Sequence, residues 1–378
     1  IFGGNENYEL RNGALYRISD NTLLYYPASS GATSFAVPDG TENIADGAFA
    51  NAVNLTEITL PSTLTSIGRG AFAGCVGLAT GNINSVALND LTADSDIFLG
   101  ATSITVNVNE GVTRLPDYLF DGATVSAVTL PTAGLTYIGK YAFYNNTITA
   151  LTIPDTVTEI GEYAFYGSTL ETLYYNANVE SFVADENGNT VFGPMASGAV
   201  LDLGENVTVI GDNFLYNANL AVVNHGTSQV GRIGENAFRG TSLTSVTIKE
   251  NVTDVGSYAF AEITTLNEIT VESSANFTGT GIFDGSGADS VAFRATGSNV
   301  SNGLFASANK PALTSITLEN TETVGVGAFD GISTVTSLTL PSTLTSIGSR
   351  AFAGMNGISV LTVPEGVTTI GNEAFYGW

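Results

Sequence analysis

Apolar residues recur along this chain in a phrase that returns about every 23 residues. Residues 55–72 read LTEITLPSTLTSIGRGAF, and residues 335–352 read VTSLTLPSTLTSIGSRAF, nearly the same string 280 residues later. Within the phrase, Ile58 and Leu60 alternate with polar neighbours, and this period of two predicts a short strand with one buried face. The Ile-Gly pair that follows predicts a second buried position with a backbone bend, and x-x-Ala-Phe predicts one helical turn.

The closing phenylalanine of the phrase marks each repeat. Fifteen of the chain's 20 phenylalanines occupy this position. They are Phe49, Phe72, Phe98, Phe120, Phe143, Phe165, Phe192, Phe214, Phe238, Phe260, Phe283, Phe305, Phe329, Phe352 and Phe375. A fixed period of this length is typical of solenoids, whose repeats stack and bury a continuous core. The sequence therefore predicts a repeat solenoid of about fifteen turns with an aromatic spine.

The phrase I-P-x-x-V-T-x-I-G-x-x-A-F, present at residues 153–165, resembles the BspA-like leucine-rich-repeat family of bacterial surface proteins. The resemblance extends over roughly residues 33–378, and it is specific because the motif repeats with fixed spacing. It implies a leucine-rich-repeat solenoid with a parallel β-sheet on the concave face and short strands or helical turns on the other side.

The first residues of the chain carry a different pattern. Asn12-Gly13 and Asp20-Asn21 are hairpin-turn signals between apolar segments. Residues 8–27 also resemble the hairpin that precedes the first repeat in the family, and such a hairpin would cover the open core of the first coil. We therefore divide the chain into an N-terminal β-hairpin cap, residues 1–32, and a solenoid, residues 33–378.

Charge and composition limit the partners. Acidic residues number 36 against 11 basic ones, a net charge of −25. Such a surface repels phosphate backbones and anionic lipid headgroups, so we expect no nucleic acid and no membrane partner. No apolar run approaches the ~20 residues that span a bilayer, which predicts no membrane insertion in this segment.

Catalytic chemistry finds little support. His225 is the only histidine and Cys75 the only cysteine, and six repeats separate them, on the order of 30 Å at ~4.8 Å per turn. No Gly-x-Ser-x-Gly elbow occurs, and the carboxylates are scattered along the chain. The short acidic segments at 94–96 and 185–189 resemble calcium loops, but neither completes an EF-hand. We expect no enzyme activity, no cofactor and no metal site.

The outward residues of the strands form the candidate binding surface. Most are threonine or serine, and the expanded repeat before Phe98 contributes Ser85 and Ala87 to the two outward rows. A uniform hydroxyl face also suits a solvated sheet that binds nothing. Tyr174, Asp202 and Asn224 break the uniformity in adjacent turns, and they are the candidate binding patch.

Function follows from the resemblance, which implies an extracellular or cell-surface recognition protein without enzymatic activity. The expected role is adhesion to host matrix proteins, to other cells or to glycans, and its partners are host or bacterial surface proteins or glycans. The alternative is a passive stalk that presents another domain. Because Trp378 follows directly on a full repeat phrase, we expect that the natural protein continues beyond it or that this end associates end-to-end with another copy.

Overall fold

The computed structural model describes residues 5–226, 228–275, 277–305 and 311–378. These residues form a parallel β-solenoid of about fifteen turns, as predicted, and contain 28 strands and no helix. The strands are β1 (Tyr8–Arg11), β2 (Ala14–Arg17), β3 (Thr22–Tyr25), β4 (Ser34–Ala36), β5 (Asn43–Ile44), β6 (Glu57–Leu60), β7 (Ser66–Ile67), β8 (Thr80–Ile83), β9 (Ile104–Val108), β10 (Arg114–Leu115), β11 (Val125–Thr129), β12 (Tyr137–Ile138), β13 (Ala150–Ile153), β14 (Glu159–Ile160), β15 (Thr172–Tyr175), β16 (Ala199–Leu203), β17 (Val209–Ile210), β18 (Leu220–Asn224), β19 (Arg232–Ile233), β20 (Ser245–Ile248), β21 (Asp254–Val255), β22 (Glu268–Val271), β23 (Ser290–Phe293), β24 (Ser298–Val300), β25 (Ser315–Leu318), β26 (Thr321–Val324), β27 (Ser346–Ile347) and β28 (Thr369–Ile370).

The chain forms two compact units. The first contains Ile1–Val179 and Asn189–Gly204, and the second contains Glu180–Gly188 and Glu205–Trp378. In the first unit, the sheets β4-β6-β8-β9-β11 and β13-β15-β16 are parallel and form what we call the front face. Two-residue strands pair in parallel on the opposite side of each coil, in the ladders β5-β7 and β10-β12-β14.

The second unit repeats this arrangement. Its front face contains β18 and the parallel sheet β20-β22-β23-β25. Its opposite side contains the ladders β17-β19-β21 and β24-β26-β27-β28.

The N-terminal strands run antiparallel. β1 pairs with β2 across Asn12 and Gly13, whose φ angles of 51° and 83° are both positive, as a type I′ turn requires. β2 pairs with β3, and β3 then pairs in parallel with β5 of the solenoid. Tyr16 and Leu23 are fully buried here. The division of the chain at residue 32 stays a prediction.

The predicted aromatic spine is present. In the first unit, successive rings from Tyr26 to Phe192 stack with centroids 4.8–5.8 Å apart. In the second unit, the rings from Phe238 to Phe375 follow one another at 5.4–6.2 Å. All of these rings are buried except Phe375, which is half-buried. Trp378 packs edge-on against Phe375 and donates its indole N–H to the Phe352 carbonyl.

One predicted member of the spine is wrong. Leu215, and not Phe214, occupies the closing position of its coil, because Leu215 donates its N–H to the Ala237 carbonyl in the pattern by which Phe49 bonds to Ala71. Asn213 and Asn217, with φ of 58° and 57°, bracket Leu215 and fix this register. Phe214 takes the place of the usual alanine, and its ring contacts Phe182 at 5.4 Å and meets Phe238 edge to face at 6.3 Å between centroids.

The predicted helical turn is also wrong. The x-x-Ala-Phe segment is a series of tight turns, in which Ala71 donates to the Gly68 carbonyl while Phe72 donates to the Ile97 carbonyl of the next coil. An α-helix would need those N–H groups for bonds within its own segment. In addition, the second x has a positive φ, for example 59° at Gly70, which interrupts any helical run.

The glycine of the Ile-Gly pair permits close contact between coils. A Cβ on Gly161 would lie 2.3 Å from the backbone nitrogen of Lys140 in the preceding coil, and one on Gly68 would lie 2.3 Å from that of Asp46. Gly161 and Gly68 have no positive φ. The pair therefore requires glycine for the absence of a side chain and not for a special backbone bend.

Candidate functional site

The front face of the first unit places two of the three predicted binding residues side by side. Tyr174 on β15 pairs in register with Asp202 on β16, and Thr152 on β13 flanks Tyr174 on its other side. Parallel neighbours lie about 4.8 Å apart, so a single ligand group can contact both side chains. Tyr174 is 45% exposed although Tyr175 beside it is fully buried, because successive residues of a strand face opposite sides.

The third predicted residue, Asn224, belongs to the second unit. It is the last residue of β18, and its side chain is exposed. Val222, two residues earlier on the same strand, is 44% exposed and therefore faces the same side. The structure thus joins Tyr174 with Asp202, and the inclusion of Asn224 in one patch stays a prediction.

A second polar cluster on the front face was missed by the sequence prediction. Ser85 and Ala87, assigned to the outward rows, lie outside the strands, and the predicted register of this repeat is wrong. β8 places Thr80 opposite Glu57, and Asn82 between Thr59 and Asn107. The buried Ser85 instead donates its hydroxyl to the carbonyl of Leu64.

These side chains form a hydrogen-bonded row, which we call the asparagine row: Glu57, Thr59, Asn82 and Asn107. The Asn82 amide donates to the Glu57 carboxylate at 2.8 Å and contacts the Thr59 hydroxyl at 3.3 Å. The side-chain amide of Asn107 in turn donates to the side-chain oxygen, Oδ1, of Asn82 at 2.9 Å. The row is partly exposed along its length, so a polar ligand can reach these side chains.

A signal for this register exists in the sequence. Counting back from Phe98 misplaces the strand because the extra residues of this 26-residue interval follow β8. Counting forward from Leu78, the pattern Leu-x-x-Gly-x-Ile matches Leu-x-x-Ile-x-Leu of the standard phrase. Gly81 at the first buried strand position hides the alternation from a search for apolar residues.

Cys75 and His225, the single cysteine and the single histidine of the chain, are poorly suited to catalysis. Cys75 is fully buried with its sulfur 3.1 Å from the Phe49 carbonyl oxygen, and burial raises the pKa of its thiol to about 11. The thiolate, which is the reactive form, is therefore strongly disfavoured. His225 is half-buried just after β18, and burial, followed by the charge of Lys249, lowers its pKa from 6.5.

The acidic loop at 185–189 uses Asp185 for hydrogen bonds within the loop. The Asp185 carboxylate accepts the N–H of Asn187 at 2.8 Å, and its carbonyl accepts the N–H of Gly188 at 3.0 Å. Across the described ranges, no group of three or more His, Cys, Asp or Glu side chains is placed to hold a metal ion. The same ranges contain no helix of the length and apolarity that crossing a membrane requires.

The geometry defines a leucine-rich-repeat solenoid, and comparison with known families assigns it more closely. The BspA type leucine rich repeat region matches at residues 24–105, 89–192, 113–230, 186–312 and 299–378. These matches together span nearly the whole chain, so the chain belongs to the BspA-type leucine-rich-repeat family, as its motif indicated. No curated protein matches it.

Solved structures of bacterial leucine-rich-repeat proteins are similar to this chain. One from Bacteroides ovatus is 22% identical with a TM-score of 0.51, covering 98% of this chain and 90% of that one. One from Eubacterium ventriosum is 22% identical with a TM-score of 0.36, covering 98% and 94%. A leucine rich cell surface protein from Faecalibacterium prausnitzii is 20% identical with a TM-score of 0.33, covering 99% and 93%. These comparisons indicate no catalytic family.

Proposed function

We propose that this chain is a non-enzymatic recognition protein of the cell surface or extracellular space, which adheres to surface proteins or glycans through its front face. The observation that carries the proposal is the pair Tyr174–Asp202, an exposed aromatic ring beside a carboxylate on adjacent, well-packed strands. Membership of the BspA-type family, a class of repeat proteins, supports a binding role over a catalytic one.

The front face is suited to binding because its backbone is already ordered. Leu173 and Leu201, which alternate with the candidate residues, are fully buried and hold the two strands against the core. Little conformational entropy is then lost when a ligand docks, which favours affinity. Tyrosine offers a large amphipathic contact area, and a neighbouring carboxylate accepts hydrogen bonds from hydroxyl or amide groups of either partner class.

The asparagine row provides a second set of hydrogen-bonding side chains on ordered strands of the first unit. Amide side chains combine donors and acceptors, which matches the hydroxyl groups of sugars and the backbone groups of peptides. At a net charge of −25, the surface disfavours polyanionic ligands. A neutral or basic protein or glycan is therefore the expected partner.

The proposal is tested by replacing Tyr174, Asp202 and Asn224 together with threonine, the residue most frequent on this face. Binding to immobilised matrix proteins and to a glycan array should fall by about tenfold or more, as loss of a central contact cluster predicts. The melting temperature should stay nearly unchanged because the three side chains lie outside the core. Thr152→Ser, on the neighbouring strand, is the matched control and should bind normally. Unaltered binding by the triple variant would remove this patch and direct attention to Asn82 and Asn107.

The passive stalk remains the alternative function, and the uniform hydroxyl residues of the second unit favour it. Ser245 and Thr247 on β20 and Ser315 and Thr317 on β25 face outward in this unit, and Glu268 on β22 is the larger side chain between them. A stalk predicts that neither the wild-type chain nor its variants bind any protein or glycan. Specific binding by the wild-type chain that the triple threonine variant loses would contradict the stalk function.

A further inference from the structure

Five tyrosines form a continuous aromatic surface on the turn side of three successive coils in the first unit. Tyr118, Tyr141 and Tyr163 occupy the second x of the x-x-Ala-Phe segment, and Tyr144 and Tyr166 follow the closing phenylalanines. All five are half-buried. We call them the tyrosine surface, and no role in the solenoid core accounts for them because the phenylalanine stack fills that core.

The rings contact one another within and between coils. Tyr118 and Tyr141 stack with centroids 5.0 Å apart and planes 3° from parallel, and Tyr144 and Tyr166 stack at 6.0 Å and 14°. Within one coil, Tyr163 and Tyr166 meet edge to face at 5.2 Å and 88°. The side chains are thus mutually ordered before any ligand arrives, which limits the entropy lost on binding.

Three of these tyrosines hold an unfavourable backbone conformation. Tyr118, Tyr141 and Tyr163 have φ of 56°, 55° and 54°, in the left-handed region that bulky residues avoid. In other coils the same position holds glycine, as at Gly70 and Gly327, which adopts this conformation without steric strain, or a longer side chain, as at Arg350 and Glu373. Strained backbone positions recur at functional sites, and here three consecutive coils carry the same aromatic residue at such a position.

The surroundings of the tyrosine surface are negatively charged. Burial, and then the nearby carboxylate of Glu162, raise the pKa of Tyr141, and Asp121 adds to this effect. Asp117 accepts the hydroxyl hydrogen bond of Tyr137 at 2.8 Å on the same side of the coils. Lys140 already places its ammonium group over the ring of Tyr118, at 5.6 Å from the centroid. The acidic surroundings favour a cation beside these rings, and Lys140 shows that a ring of this surface accepts one.

The second unit contains a similar arrangement in which an arginine of the chain contacts two tyrosine rings. The guanidinium group of Arg239 lies over the rings of both Tyr216 and Tyr258, at 5.2 and 5.6 Å from their centroids. It also pairs with Glu262 at 2.7 Å. Tyr258 has the same left-handed φ, 58°, as the tyrosines of the first unit. At the position of Arg239, directly after the closing phenylalanine, the tyrosine surface has Tyr144 and Tyr166 in two coils and Asp121 in the coil of Tyr118.

We propose that the tyrosine surface binds an arginine- or lysine-rich segment of a partner protein, whose guanidinium or ammonium groups lie over the rings and pair with Glu162 and Asp121. The surface is separate from the front face, so this proposal does not depend on the ligand bound there. A basic peptide fits better than a neutral sugar, because Glu162 and Asp121 beside the rings attract a cation and offer no such attraction to an uncharged ligand. Charge complementarity with the acidic chain points to the same partner class.

The test uses a fluorescein-labelled peptide of four Arg-Ser repeats and measures its fluorescence anisotropy at physiological salt. The decisive variant replaces Tyr118, Tyr141 and Tyr163 with glycine, which removes the rings while easing the backbone strain. We expect affinity for the peptide to fall about tenfold, as the loss of several cation–π contacts predicts. Tyr144→Ala with Tyr166→Ala is a second variant that should weaken binding, and it leaves the left-handed positions unaltered.

Two controls separate ring contacts from general attraction to an acidic protein. Glu57→Gln with Glu268→Gln removes two exposed carboxylates of the front face and should change affinity less than threefold, roughly the effect of screened surface charges. The front-face variant at Tyr174, Asp202 and Asn224 should bind the peptide nearly as wild type. Unchanged affinity in the glycine variant would overturn the proposal, as would failure of the wild-type chain to bind the peptide. Loss of maltohexaose binding in the glycine variant, with no peptide binding, would identify a sugar site instead.

Discussion

The aromatic spine gives the sharpest prediction about stability, at Phe165. Its ring is fully buried between Phe143, at 5.1 Å and 4°, and Phe192, at 5.8 Å and 8°. An aromatic side chain buries about 150–250 Å², which at ~25 cal/mol per Å² is worth about 4–6 kcal/mol as an upper limit. Phe165→Ala retains only a methyl group, so we expect the free energy of unfolding to fall by about 3–5 kcal/mol. The upper part of that range is expected, because the rings above and below are fixed by their own coils and cannot fill the cavity.

Urea unfolding followed by circular dichroism measures this change. Val360→Ala is the matched control, since Val360 is 79% exposed and its truncation should change stability by less than about 0.5 kcal/mol. Phe165→Leu should fall between the two, because it keeps much of the buried volume. A loss below about 1 kcal/mol in Phe165→Ala would show that the stacked rings do not hold adjacent coils together, and the assignment of the spine would have to be abandoned.

Three further predictions concern single sites. Gly161→Ala should destabilise the chain by about 1–3 kcal/mol, because its Cβ would overlap the backbone of Lys140, whereas Gly31→Ala, with nothing within 4 Å, should be neutral in the same urea titration. Cys75 should react with a thiol reagent only after denaturation, and fast labelling of the folded chain would contradict its burial. Because His225 has a lowered pKa when folded, its stabilising contribution should be complete above about pH 6.5 and be lost as pH falls from 6.5 through that lowered value. Melting temperatures of wild type and His225→Gln should therefore converge at low pH, and a constant difference would refute this assignment.

The fold could be predicted from the sequence because each coil repeats the same physical requirements. Ile58 and Leu60 are fully buried on β6, and Glu57, which directly precedes Ile58, is exposed, as the alternation indicates. The closing phenylalanines stack because a period of about 23 residues returns each to the same point of the coil. Fifteen copies of a weak local signal make a strong one, and no single coil had to be interpreted alone.

The errors occur where a coil departs from the repeat. Asn213-Phe214-Leu215 contains two large apolar residues in succession, and only the backbone conformation of Asn213 determines which one enters the spine. β8 carries Gly81 at a position where the alternation needs an apolar residue, so the strand was placed too late in the sequence. The helical turn was wrong because the bonds of Phe72 go to the next coil, a contact that no local pattern contains.

The front-face patch and the tyrosine surface differ in the backbone conformation that their tyrosines must adopt. An outward strand position accepts almost any side chain, so Tyr174 meets no backbone penalty there, and its presence alone is weak support for a binding site. The left-handed position resists bulky residues by about 1–2 kcal/mol each, yet Tyr118, Tyr141 and Tyr163 occupy it in three consecutive coils. The ring contacts among the five tyrosines, worth about 0.5–1.5 kcal/mol per pair, are together of the same size as that cost. The tyrosine surface combines a backbone position that favours glycine with five rings that order one another, whereas Tyr174 is the single exposed ring of its strand, so the tyrosine surface is the first surface to test by mutation.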